Sequence, residues 1–321
     1  MDHKLLIDTI RTMTVILGGL VIGYGLRKSG HARPGLAAAV NRIVLTYIQP
    51  FVICLALWAM PRPDLRTLAL PLFGASMVIL MWPVAALIPR LLRMDRRTSG
   101  SFVTSAIFSN VGFTYGTFVA FAALGPPGAA LGALYCASFM PTFFTLGFYV
   151  GKRYSVGEHQ GVLQAAIGLA RDGQTRNPIL GIVMGLLLNL LGVGAPGEAA
   201  FIIDFAMPTT TAAFLLAIGL GLRLSAVKQY WRECLLMHAV KFAVSPIIGL
   251  ALALVFGYWQ VPDHSVLRVV VIQSAAPCAI MAVMLSDVFD LNRELAGAVW
   301  LTTNVTAILL APILLLIVRA L

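Results

Sequence analysis

Charge is scarce in this chain. Only 11% of its 321 residues are Asp, Glu, Lys or Arg, while 59% are hydrophobic. A soluble globule of this size needs a polar exterior, and there is too little polar sequence here to make one. Metal-ligating and catalytic patterns are missing too. Cys54, Cys136, Cys234 and Cys278 stand far apart, without a CxxC or a Cys/His cluster, and read as small packing residues. No HExxH, GxSxG or paired carboxylate falls in a suitable stretch. These absences argue against a membrane-embedded enzyme and leave no expectation of a metal or cofactor.

What is present is apolar sequence in long runs. Ten stretches, near 5–26, 34–60, 66–89, 100–124, 129–150, 178–195, 199–221, 233–257, 265–286 and 295–318, account for most of the chain. About 20 helical residues cross a hydrocarbon core ~30 Å thick. The expected fold is an all-α membrane protein with ten transmembrane helices. Its first stretch reads as an uncleaved helix: basic residues follow it rather than precede it, and no small-residue cleavage site is evident.

The net charge of +10 could point to nucleic acid, but its distribution points to a bilayer. The odd-numbered connections hold 15 of the 23 Lys and Arg, among them Arg27, Lys28 and Arg33, Arg90, Arg93, Arg96 and Arg97, and Lys152 and Arg153. The even connections and both tails hold only Lys4, Arg62, Arg66 and Arg319. Because cytoplasmic loops retain cations, the odd connections are expected in the cytoplasm and both termini outside a cell inner or plasma membrane. No soluble face gathers the charge into a nucleic-acid stripe.

The stretches divide five and five around the longest connection, 151–177. Residues 1–150 form a first five-helix unit, 151–177 a cytoplasmic connector, and 178–321 a second unit. Local features recur half a chain apart: Ile16-Leu17-Gly18 with Ile179-Leu180-Gly181, Pro50 with Pro208, and Pro83 with Pro246. Five is odd, so the second unit enters the membrane from the opposite side, the inverted repeat typical of secondary transporters. Within the connector, Val162, Leu163, Ala166, Ile167 and Ala170 form an apolar stripe at helical spacing, expected as an amphipathic surface helix.

Two stretches in matching places are interrupted. The fourth packs Ser109, Asn110, Gly112, Tyr115, Gly116 and Thr117 into nine residues; the ninth carries Gln273, Ser274 and Pro277. Unwound backbone at membrane depth frees amides and carbonyls for a ligand or ion. The plainer alternatives are that Asn110 and Gln273 only bond neighbouring helices and that Pro277 only kinks its helix. Lys241, well inside the eighth stretch, either snorkels or offers a counter-charge to a substrate or a proton-coupling group. Asp204 in the seventh caps a helix, is hydrated, or takes part in proton coupling. Asp8 and Arg11, three apart, read as a surface or interhelical pair.

The fourth and ninth stretches also carry a family resemblance. The chain resembles the auxin efflux carrier family, which includes plant auxin exporters and bacterial malonate and malate permeases within the bile/arsenite/riboflavin-type transporter superfamily. The fourth stretch has the family's Asn-x-Gly-Phe as Asn110-Val111-Gly112-Phe113, followed by Gly116, with Thr117 where a proline is usual. The ninth has Pro277, with Met281 where Asn is frequent. Pro50, Pro208 with Phe214 and Gly219, Lys241 with Pro246, and Thr303 and Thr306 before Pro312 also match.

The resemblance implies ten helices in two inverted five-helix repeats, helices 4 and 9 broken and crossing at the centre. It also implies alternating-access transport of a small organic anion, a mono- or dicarboxylate. Asn110, Gly112, Tyr115, Thr117, Gln273, Ser274, Pro277 and Met281 are then the candidate substrate site, with Lys241 and Asp204 as candidate charge or coupling groups. H+ or Na+ is the coupling ion to consider, and a homodimer is compatible with the reading. The alternatives are a sodium-coupled organic anion symporter of the bile-acid type, and a channel or sensor of the same fold.

Overall fold

A computed structural model describes residues 14, 18–30, 35–156, 162–221 and 225–321. Asp8, Arg11 and Arg33 lie outside the described residues. The described chain is all-helical, its one β feature an isolated antiparallel bridge between Ser109 and Cys278.

Helix α1 covers 18–28. α2 runs through Leu36–Ile43 and Val44–Ala59, and α3 is Leu70–Leu91. α4 (Arg96–Ile107) and α5 (Gly116–Leu124) are separated by the first break. α6 spans Pro126–Tyr154, α7 Val162–Arg171, α8 Gly173–Leu190 and α9 Ala199–Gly221. α10 spans Trp231–Val255. α11 (Ser265–Ser274) and α12 (Ile280–Val288) flank the second break, and α13 (Arg293–Ala320) closes the chain.

Among the described residues five helices are long and apolar enough to cross a bilayer: Leu65–Leu91, Pro126–Tyr154, Ala199–Ala217, Trp231–Val255 and Arg293–Ala320. The fourth and ninth stretches are too divided for that test. Their pieces run 12 and 9 residues, then 10 and 9. α4 is polar in sequence yet buried from Thr98 to Ile107. Its hydroxyls turn inward, Ser101 against Ser286 of α12 at 3.0 Å and Thr104 onto the carbonyl of Gly100 at 2.9 Å.

Close packing between helices is set by glycine. A Cβ on Gly181 or Gly185 of α8 would lie 2.4 or 2.5 Å from the carbonyl oxygens of Pro50 and Cys54 on α2. A Cβ on Gly19 or Gly23 of α1 would lie 2.6 or 2.2 Å from the carbonyls of Ala212 and Leu216 on α9. Backbones meet this closely only across small residues, the usual device where lipid supplies no hydrophobic drive between helices.

The apolar interior forms two clusters stacked along α3. Phe73 and Met77 belong to the first, Val78, Met81 and Ala85 to the second. The seam between them passes through both breaks. Val111, Phe113 and Ala276 fall in the first cluster; Phe108, Cys278 and Ala279 fall in the second.

Candidate functional site

The two breaks are joined to each other. Helical geometry stops at Phe108, where ψ turns to 121°, and resumes at Gly116. It stops again after Ser274 and resumes at Ile280. Between these ends the segments run antiparallel: the Asn110 amide donates to the Pro277 carbonyl at 2.7 Å, and the Ala279 amide to the Phe108 carbonyl at 3.0 Å. Pro277, lacking an N–H, cannot continue the helical ladder of α11, and its own carbonyl, left outside any helix, accepts from the neighbouring segment.

α13 braces the pair. Asn304 donates to the Cys278 carbonyl at 2.9 Å and to the Trp300 carbonyl at 2.8 Å, while its Oδ1 accepts from Asn110 Nδ2 at 2.9 Å. Asn110 Oδ1 in turn accepts from the Thr114 hydroxyl. Thr303 Oγ1 accepts from the Cys278 amide at 3.2 Å, and the Tyr115 hydroxyl donates to the Ala307 carbonyl at 3.1 Å. Inside the first break, the Gly116 and Thr117 amides reach back to the carbonyls of Asn110 and Val111, both at 3.0 Å. Thr117 Oγ1 also donates to the Val111 carbonyl at 2.8 Å.

α10 serves the C-terminal ends of both interrupted helices. Lys241 is fully buried, and its Nζ donates to the carbonyls of Ala106 and Phe108 and to Ser109 Oγ at 2.7, 3.2 and 2.8 Å. These are the last carbonyls of α4, where orphan acceptors and the negative end of the helix dipole favour a cation. Lys241 therefore does not snorkel. One turn later Ser245 Oγ donates to the Ser274 carbonyl, the end of α11, at 2.6 Å. Lys241 itself sits in a π-helical turn, Val240–Val244, that ends just before Ser245, a distortion frequent at functional sites.

Gln273 stands apart from this hydrogen-bond economy, with both polar atoms of its amide, Oε1 and Nε2, unpartnered at 1% exposure. A buried amide without partners costs roughly 1–3 kcal/mol, so such a group calls for an occupant. Gln273 lines a cavity of about 30 Å³ whose wall is mostly apolar, Met77, Met81 and Phe139 among it, with Ser109, Thr142 and Ser245 among its other polar members. That space holds a water or a small cation. An organic acid would require the surrounding helices to part.

The remaining expected residues divide clearly. Ser274 is buried beside Gln273, its hydroxyl returning to the Val271 carbonyl at 2.9 Å. Gly112 has open space around it, nothing lying within 4 Å of a Cβ there. Met281 stands on the first turn of α12, packed against the second apolar cluster. Asp204 is exposed on α9. Among the described residues no Asp or Glu side chain bonds to either break, and no group of three or more His, Cys, Asp or Glu could hold a metal. Sequence reasoning missed Asn304 and Ser245. A lone Asn in a 28-residue apolar helix was the available signal for the first.

No family model matches the chain. An uncharacterized transporter of Methanothermobacter thermautotrophicus is 20% identical over 303 residues, covering 94% of this chain and 96% of that protein. An uncharacterized transporter of Methanocaldococcus jannaschii is 22% identical over 308 residues, covering 92% and 95%. Both alignments run nearly end to end, so the likeness belongs to the whole architecture rather than to one segment.

Proposed function

We propose that the chain is a secondary transporter of a small organic anion, working by alternating access around the paired breaks. The observation that carries this reading is the antiparallel join of two interrupted helices at residues 108–110 and 277–279. It brings four helix ends to one place. The N-terminal ends at Gly116 and Ile280 favour negative charge. Lys241 adds a full positive charge, and no carboxylate bonds there to offset it among the described residues. The names of the two archaeal relatives support transport in general.

Ten spans in two inverted repeats are part of the proposal. The glycine contacts support it: Gly19 and Gly23 correspond to Gly181 and Gly185, and Pro50 and Cys54 to Ala212 and Leu216, each 162 residues on. The helix pair α1–α9 is thus built like α8–α2 with the two halves exchanged, as a pseudo-two-fold axis requires. The unpartnered Gln273 amide, the backbone at Gly112 and the second Nδ2 proton of Asn110 are the polar groups offered to the anion, and motion of the broken-helix core against the glycine-packed helices would open the water-sized cavity. The anion reading follows the resemblance to auxin efflux carriers. Sodium coupling is the second reading, favoured by the small size of the cavity beside the unpartnered Gln273 amide.

Counterflow of labelled mono- and dicarboxylates in proteoliposomes tests the reading. Saturable exchange of an anion is expected, and its dependence on Na+ or on a pH gradient identifies the coupling. Unsaturable conductance, or no exchange across an organic-acid panel, would reject it.

A further inference from the structure

We infer that the cytoplasmic-side end of the α3–α4 hairpin holds a second binding site, one for a phosphate group. A cavity of about 410 Å³ opens between α3, α4 and the end of α6. Arg90, Arg93, Arg96 and Arg153 line it, with Met94 and Tyr154 as apolar wall. Its volume falls in the range of small-ligand sites, and it lies apart from the residues around the breaks.

Four guanidinium groups on one concavity repel one another unless an anion joins them. Among the described residues none of the four is ion-paired; the two ion pairs are Arg97–Asp290 and Arg293–Asp287. Asp95, the carboxylate within the hairpin itself, is occupied as N-cap of α4, accepting from the Thr98 amide at 3.0 Å. Arg96 donates to the Arg153 carbonyl at 2.8 Å, which fixes α4 to α6 and leaves most of its donors free. Planar forks of this kind match phosphate oxygens in pairs.

Arg93 shows that the charge is kept at a cost. Its φ is +52°, a left-handed conformation at the end of α3 where glycine or asparagine is usual. A phosphate ester attached to an apolar tail suits the surroundings: Leu87, Leu91 and Leu92 of the same hairpin are exposed. Basic pockets between helices on the cytoplasmic side take anionic headgroups in this way. The ligand chemistry is a phosphate oxyanion, supplied either by an anionic phospholipid or by free phosphate.

The test is thermal unfolding of the full chain in neutral detergent at constant ionic strength. Short-chain phosphatidylglycerol, short-chain phosphatidylcholine and sodium phosphate are titrated separately. The expected result is a saturable rise in Tm with phosphatidylglycerol, and none with phosphatidylcholine. Arg90→Gln and Arg93→Gly should each weaken the response about fivefold, the scale of one basic side chain at a membrane surface. Arg93→Gly relaxes its backbone, so its unliganded Tm should not fall. A saturable rise with sodium phosphate that the same variants weaken assigns the site to free phosphate. Lys152→Gln removes a neighbouring charge outside the cavity and should leave binding intact. The inference fails if the two arginine variants respond as wild type, if Lys152→Gln loses as much, or if neither anionic probe binds saturably. Because the readout is binding, its failure leaves the transport reading untouched.

Discussion

Lys241 and Ser245, one turn apart on α10, cap the C-terminal ends of two different interrupted helices, α4 and α11. A single helix thereby fixes both breaks. The lysine supplies three charge-assisted bonds and the serine one, so the two ends are held unequally.

Replacing the ammonium with a thioether of similar length, Lys241→Met, leaves the Ala106 carbonyl and the Ser109 hydroxyl without their partner and the Phe108 carbonyl with the Ala279 amide alone. Bonds to charged groups contribute about 1.5–3 kcal/mol each, in part offset by restored apolar packing, so a net loss near 3 kcal/mol is expected. Chemical unfolding in detergent reads it. Wild-type stability in this variant would mean that the capping geometry contributes nothing.

Asn110 and Asn304 are bonded at 2.9 Å and tie the first break to α13. Asn110→Ala and Asn304→Ala should therefore be non-additive, with a coupling of about 1 kcal/mol. Strict additivity in a double-mutant cycle would show that the two amides act separately.

Gln273 has no bonds within the protein to lose. Gln273→Leu should be neutral or mildly stabilising, by up to about 1 kcal/mol, because it removes an unsatisfied buried amide. Affinity for the substrate or coupling ion should fall about tenfold if the amide faces either one, a cost of about 1.4 kcal/mol. A stability loss with unchanged transport would reverse the assignment.

Gly23→Ala and Gly185→Ala each drive a methyl group into a backbone carbonyl that cannot swing aside. About 1–3 kcal/mol of overpacking is expected from each, adding independently across the molecule. Gly18→Ala, with nothing within 4 Å, is the matched control and should be neutral. Equal tolerance at all three positions would remove the glycine contacts as evidence for symmetry.

Asp95 supplies the pH dependence. Burial pushes its carboxyl up, but hydrogen bonds from Thr98 and the Arg97 backbone outweigh that and hold it below the usual carboxylate range. A depressed carboxylate stabilises the fold at pH above its unfolded value, and the contribution disappears as pH falls through the folded one. Asp95→Ala should cost about 1 kcal/mol at pH 7 and less in strong acid. A gap that widens on acidification would contradict the sign.

The breaks were legible because Asn110, Gly112 and Pro277 interrupt otherwise apolar runs, and few residue types do that at membrane depth. What closes the breaks was not. Lys241 was visible as a buried charge, but that its partners are the last carbonyls of α4 depends on how the eighth stretch packs against the fourth. Gly181 stood out as part of a repeated tripeptide, whereas its contact with Pro50 belongs to helix pairing that periodicity does not encode. Asn304 was overlooked because a single amide in a long apolar helix looks the same whether it braces a neighbour or faces a cavity. Asp204 shows the reverse: a carboxylate conspicuous in sequence that lies exposed.

A dissolved ion occupies its site to an extent fixed by its concentration on whichever side is open. The positive charge at the end of α4 is tethered by a side chain, so neither compartment can load or deplete it. Gradients of sodium or potassium have no hold on that position.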